Sequence, residues 1–139
     1  MRDNIYISLA DDNAIFREGL KMYLQRNRKY IVEFMAENGL TMVDNLPAKT
    51  NLILMDIEMP VMDGLKAAKQ ILKDFRHISI IAITMYREKA YLEELIKIGF
   101  KGCVFKQNIF NEIDEAIDSV MQNRLYFPLE LLTKLSYSG

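Results

Sequence analysis

The run Leu52-Ile53-Leu54-Met55-Asp56-Ile57-Glu58-Met59-Pro60-Val61-Met62-Asp63-Gly64 decides the architecture. Its first four residues are apolar without polar alternation, as expected of a parallel strand buried on both faces. The strand stops on a carboxylate, Asp56, and a loop containing Pro60 leads to Gly64. After it Leu65, Ala68 and Leu72 recur at helical spacing. A buried strand therefore feeds a helix.

The same alternation continues in both directions. Upstream, Ile5–Ala10 is apolar and ends against Asp11-Asp12, and residues 14–27 then carry Phe16, Leu20, Tyr23 and Leu24 in helical phase. Tyr30–Ala36 surrounds a single Glu33 and suits an edge strand, and a short helix over residues 40–45 closes at Pro47. Downstream, residues 78–83 form a second continuous apolar strand ending at Thr84. Lys89–Ile98 is helical, with Leu92, Leu95 and Ile96 on one face and Gly99 as its stop. Residues 103–105 make a short fifth strand ending at Lys106. A fifth helix over residues 109–123 holds Ile109, Ile113, Ala116, Ile117 and Val120 in phase. Five strands alternating with five helices predict a doubly wound parallel α/β sheet rather than a sandwich or a bundle. Residues 128–135 suggest one more helix, with Pro128 in its first turn and Leu131, Leu132 and Leu135 on one side.

Bulk properties narrow the function. At 139 residues the chain suits one domain with a single core, and its 50% apolar and 27% charged composition is ordinary for a soluble protein. A net charge of −1 argues against a nucleic-acid or anionic-membrane surface on this segment. The basic group Arg17, Lys21, Arg26, Arg28 and Lys29 reads as a solvated face. Cys103 is the only cysteine, so an intramolecular disulfide is impossible. No apolar run reaches the ~20 residues of a membrane span, and the N-terminus does not read as a signal peptide. A cytoplasmic address is expected.

The chemistry-bearing residues sit at the carboxyl ends of predicted strands. Asp11 and Asp12 follow the first, Asp56 ends the third, Thr84 the fourth and Lys106 the fifth. In open parallel sheets that edge binds ligands. Taken singly, each residue has an ordinary explanation: Asp12 can cap a helix, Lys106 can be a surface lysine, and Thr84 suits a strand end. Five at one edge are hard to reach that way. Two carboxylates ~4 Å apart repel by roughly 4 kcal/mol at an effective dielectric of 20. Three against one lysine therefore call for a small hard cation such as Mg²⁺, which also accepts phosphate oxygens. Such a cup suits phosphoryl transfer onto Asp.

Over nearly its whole length the chain resembles the receiver domains of two-component response regulators. The matching motifs are Asp11-Asp12, the run from Met55 to Gly64, Ile83-Thr84, and Gly102-Cys103-Val104-Phe105-Lys106. The opening Asp11-Asp12-Asn13-Ala14-Ile15-Phe16-Arg17-Glu18-Gly19-Leu20 further resembles regulators with a LuxR/NarL-type helix-turn-helix output. The resemblance implies a flavodoxin-like, five-stranded sheet of order 2-1-3-4-5, with residues 1–125 as receiver and residues 126–139 as a linker or extra C-terminal helix. It implies that Asp56 accepts a phosphoryl group from a sensor histidine kinase. Mg²⁺ would be held by Asp12, Asp56, the backbone carbonyl of Glu58, and Asp11 directly or through a water. Lys106 would pair with phosphoryl oxygens, and Thr84 would turn inward to hydrogen-bond one of them. That movement would remodel the surface of the fourth helix, fifth strand and fifth helix and promote a homodimer. DNA would be bound only through an output domain outside this chain. The domain would be a phosphoryl acceptor rather than an enzyme, catalysing its own phosphorylation and losing the group slowly.

Several positions depart from the family pattern. Cys103 stands where many receivers place a rotating aromatic, and reads as a small buried hydrophobe. Gln107 replaces the usual proline after the lysine, so a trans bond, or else a strained cis exception, is expected there. Met85 is bulkier than the usual residue beside the Thr. With Tyr86 and Glu58 it should crowd the water that hydrolyses the phosphoryl group. His77 reads as a surface loop residue, not a relay histidine. Ile15 and Met22 fall out of the core phase of the first helix, an exposed apolar strip beside the acidic cup. The alternatives are a stand-alone receiver signalling by protein contacts, and an Asp-nucleophile phosphatase of the haloacid dehalogenase type. The second wants its acids two residues apart after the first strand, which Asp11-Asp12 are not.

Overall fold

A computed structural model describes residues 3–85 and 87–128. Five strands, β1 Ile5–Ala10, β2 Tyr30–Ala36, β3 Leu52–Asp56, β4 Ser79–Thr84 and β5 Gly102–Phe105, pair in parallel in the order β2-β1-β3-β4-β5. Between and after them run α1 Ala14–Leu24, α2 Gly39–Asn45, α3 Gly64–Asp74, α4 Lys89–Ile98 and α5 Ile109–Met121, and a 3₁₀ turn over Lys106–Asn108 precedes α5. This is the doubly wound, flavodoxin-like sheet the sequence predicts.

The unalternating strands have two cores to feed. Leu52 and Leu54 of β3, Ile81 and Ile83 of β4 and Val104 of β5 pack with Leu20 and Leu24 of α1 and Ile113 and Ile117 of α5. Their neighbours Ile53, Met55, Ile80, Ala82, Cys103 and Phe105 pack on the other face with Met42 of α2, Ala67 and Ile71 of α3 and Leu92 and Leu95 of α4. Period-two side-chain alternation thus fills both layers at once, and neither face needs polar residues.

Some details differ from the sequence expectation. α1 stops at Leu24 rather than residue 27, its C-cap Gln25 donating its N–H to the Lys21 carbonyl. α5 stops at Met121 rather than residue 123, and Asn123 takes a left-handed φ of 64° that turns the chain back. In α3 the sheet-facing residues are Ala67, Ala68 and Ile71, whereas Leu65 and Leu72 are only partly buried. The cause is close approach: any Cβ at Gly64 would collide with the Asp56 carbonyl oxygen, so small residues must face the sheet. In α1 Leu20 and Leu24 are buried, but Phe16 and Tyr23 lie at the margins. Tyr23 gives its hydroxyl proton to Asp114 on α5. Between Ile7 and Ser8 the β1–β2 register skips Glu33, whose carboxylate accepts from Thr50. Because Thr50 Oγ1 donates there, the buried Ser8 hydroxyl donates to Thr50 at 2.8 Å.

After α5 the chain returns along the free edge of β5. Tyr126 accepts from the Cys103 N–H at 2.8 Å and donates to the Lys101 carbonyl at 3.0 Å, pairing in parallel with Gly102. Phe127 is buried in the core that holds Phe105. The packed unit therefore runs past residue 125 to Phe127. The helix expected over residues 128–135 lies outside the described residues except for Pro128, and Tyr86 lies outside them as well. No helix among the described residues is long and apolar enough to cross a membrane.

Candidate functional site

Four strand ends deliver the site. β1 ends at Ala10, and the next residue, Asp11, is fully buried while Asp12 is exposed. Asn13 caps α1 by accepting from the Phe16 N–H, and its own N–H donates to Asp11 Oδ1 at 2.8 Å. Arg17, one turn into the helix, donates to the Asp11 carbonyl. The first turn of α1 thereby locks the orientation of Asp11. β3 ends on Asp56, almost fully buried, and β4 on the buried hydroxyl of Thr84. Lys106 opens the 3₁₀ turn that follows β5.

These side chains meet. Each of Asp11, Asp12 and Asp56 offers an oxygen, all within 4.8 Å of one another. The Lys106 ammonium stands 2.9 Å from Asp11 Oδ2 and 3.5 Å from Asp56 Oδ2. A cleft of ≈ 690 Å³ above them is lined by Asp12, Asn13, Asp56, Glu58, Thr84, Met85 and Lys106. All six expected site residues therefore come together, Asp11 as the floor. His77 lines a separate cleft with Asn4, Tyr30 and Asn51, whose strand ends are the opposite ones, and is exposed.

The electrostatics follow from burial and crowding. Burial, and next the Asp11 charge, push the Asp56 carboxyl up to about 7; Lys106 opposes them. For Lys106, burial works against the ammonium, but its bond to Asp11 and the charge of Asp56 outweigh it and raise its pKa. One ammonium does not balance three carboxylates. Asp11 Oδ2 is buried and, apart from Lys106, finds no hydrogen-bond partner among the described residues. Hard carboxylate oxygens this close, one of them under-satisfied, fit a small divalent cation.

The sequence profile described as "Response regulator receiver domain" matches residues 7–118. The chain belongs to that family. This receiver is 33% identical over 132 residues to the transcriptional regulatory protein YdfI of Bacillus subtilis strain 168, covering 93% of this chain and 61% of YdfI. The isolated receiver domain of RcsB from Salmonella enterica serovar Typhimurium, in its apo form, superposes with a TM-score of 0.86 at 25% identity, over 96% of this chain and 99% of that one. RcsB of the same organism bound to a promoter gives a TM-score of 0.86 at 26% identity, over 98% of this chain and 70% of RcsB. RcsB is also known as dimers bound to DNA. The chain spans 53% to 63% of the length of the curated relatives it matches.

Within the receiver the departures have structural answers. Cys103 is buried, and burial together with the Glu112 charge pushes its thiol up to about 12, so it acts as a small apolar filler. Every described peptide bond is trans, Lys106–Gln107 included. Sequence reasoning missed Asn13, Phe16 and Arg17 as parts of the site. Asn13 was findable as the cap next to the Asp pair. Phe16 was not, because helical spacing assigned it to the core, whereas its ring lies 4.7 Å from the Lys106 ammonium.

Proposed function

We propose that this receiver is the phosphorylation switch of a response regulator, with Asp56 taking a phosphoryl group from the phosphohistidine of a sensor histidine kinase. The observation that carries the proposal is the convergence of three carboxylates, a buried hydroxyl and one ammonium from four strand ends on one cleft. An Asp56 carboxylate oxygen attacks phosphorus, the P–N bond to the imidazole breaks, and its electron pair stays on the ring nitrogen. Lys106, already beside Asp56, pairs with a phosphoryl oxygen, and the Thr84 hydroxyl donates to another. A Mg²⁺ ion held by Asp11, Asp12, Asp56 and the Glu58 carbonyl would supply the charge neutralisation that lets a phosphate approach them. Met85 is 70% exposed at the cleft. Together with Glu58 it narrows the path of a hydrolytic water, which favours a long-lived aspartyl phosphate.

The inward turn of Thr84 would be read on the α4–β5–α5 surface, which borders it through the Thr84–Phe105 pair. The readout is a homodimer and a DNA-binding output that controls transcription in the cytoplasm, joined through the residues that follow Phe127. The names of YdfI and the promoter-bound RcsB support that output.

Mass spectrometry after incubation with acetyl phosphate and Mg²⁺ tests the assignment. The native chain gains one phosphoryl group; Asp56→Asn does not, and EDTA abolishes the gain. Labelling of Asp11 or Asp12 with Asp56 intact would overturn it.

A further inference from the structure

Phe16 has no place in the chemistry proposed above, yet its ring is one of three groups around the lysine that does. The Lys106 ammonium lies 4.7 Å from the ring centroid, 2.9 Å from Asp11 Oδ2 and 3.5 Å from Asp56 Oδ2. Only 19% of the Lys106 side chain is exposed. The ring is itself anchored: Phe16 packs against the core shared by α1 and α5, and its N–H is held by the Asn13 cap.

The chemistry of the three neighbours differs in a way that matters. A lysine stem is flexible and its ammonium has three donors and no acceptor. Two carboxylates take two of them. An aromatic face attracts the charge but accepts no strong hydrogen bond, so it restrains the ammonium without occupying the third donor. A serine, asparagine or acid at position 16 would compete with the phosphoryl oxygen for that proton. A leucine would leave the ammonium free to swing into water. The ring also walls off one side of the Asp11–Lys106 pair, so the charge need not be desolvated at the moment of transfer.

We infer that Phe16 is a positioning residue, its ring holding the Lys106 ammonium over Asp11 and Asp56 with one donor left for the incoming phosphoryl group. The inference rests on the phosphoryl-acceptor assignment of Asp56. Nothing in it requires Phe16 to touch the phosphoryl group.

Two readouts test it. In NMR spectra of the intact chain, the Lys106 Cε protons are displaced upfield by the ring current, and remain so in Phe16→Tyr but not in Phe16→Leu. With acetyl phosphate and Mg²⁺, Phe16→Leu lowers the maximal phosphorylation rate about five-fold, roughly 1 kcal/mol of transition-state stabilisation. The half-saturating Mg²⁺ concentration stays unchanged, and Phe16→Tyr restores at least half of the rate. In a Lys106→Met background, Phe16→Leu has no further effect, because the ring acts only through that ammonium. Unshifted Lys106 protons in the native chain, a native rate in Phe16→Leu, or additive losses in the double variant would each overturn the inference. An unlabelled native chain with shifted protons would instead remove the acceptor assignment, and the transfer role of Phe16 with it, while leaving the ring–ammonium contact established.

Discussion

At Asp56 the fold works against ionisation, and this makes a prediction about stability. Its carboxyl is raised from 3.8 to about 7, so folding takes up a proton there across that interval. A raised folded pKa contributes stability below the unfolded value and loses it as pH climbs through the folded one. Without metal, Asp56→Asn should therefore melt a few degrees above the native chain at pH 8, with the gap narrowing at pH 5 and closing only below 3.8. Mg²⁺ should raise the native melting temperature at pH 8 and that of Asp56→Asn much less. Thermal unfolding in EDTA at both pH values checks this; an equal gap at pH 5 and pH 8 would refute the electrostatic account. Asp11, Asp12, Asp56, Thr84 and Lys106 were legible because they stand where apolar runs end, at the sheet edge, whereas the Glu58 carbonyl came only from the family resemblance. Phe16 escaped notice because an aromatic at helical spacing looks the same whether it meets leucines or an ammonium.

At the scale of elements, the return of the chain along β5 is the feature with the most to test. Gly102 is where the return comes closest: a Cβ there would lie 2.9 Å from the Tyr126 carbonyl oxygen. Gly102→Val should therefore push the segment away, break the two hydrogen bonds flanking Tyr126 and uncover Phe127. A loss of roughly 2–4 kcal/mol in urea unfolding follows from the lost bonds and apolar burial. Trypsin should also cut faster at the exposed Arg124. Native stability and native cleavage would mean that the segment adds nothing. The strands and helices were legible from periodicity, but this pairing was not. A single tyrosine paired with a glycine so far back along the chain carries no periodic signal. The α3 stripe held at Ala68 but not at Leu65 and Leu72 for a related reason: spacing ranks residues by apolarity, whereas close approach at Gly64 selected for small size.

For the molecule as a whole, the phosphotransfer proposed above requires a partner's phosphohistidine to reach the acidic cleft. Ile15, in the first turn of α1 beside the cleft residue Asn13, is 86% exposed, and Met22 on the same helix is 71% exposed. Single exposed apolar residues are common. Ile15 nevertheless neighbours the cleft that a kinase's helices would approach in the proposed transfer. Ile15→Asp should slow transfer from a phosphorylated kinase about ten-fold, the scale of one lost interface anchor, while labelling by acetyl phosphate persists. Equal loss with both donors would show that Ile15 supports the cup rather than docking.

The sequence by itself determined the layered fold and the residues of the cup, because strand burial on two faces leaves an unmistakable unalternating pattern and strand ends are few. Tertiary structure alone decided the rest. That Asp11 is buried while its neighbour Asp12 is exposed depends on the first turn of α1 closing over one of them. That Lys106 lies nearer Asp11 than Asp56, with Phe16 behind it, depends on the turn after β5 being brought against the first helix by the fold. Distances between groups far apart in the chain are set by packing, which no local pattern of residue types encodes.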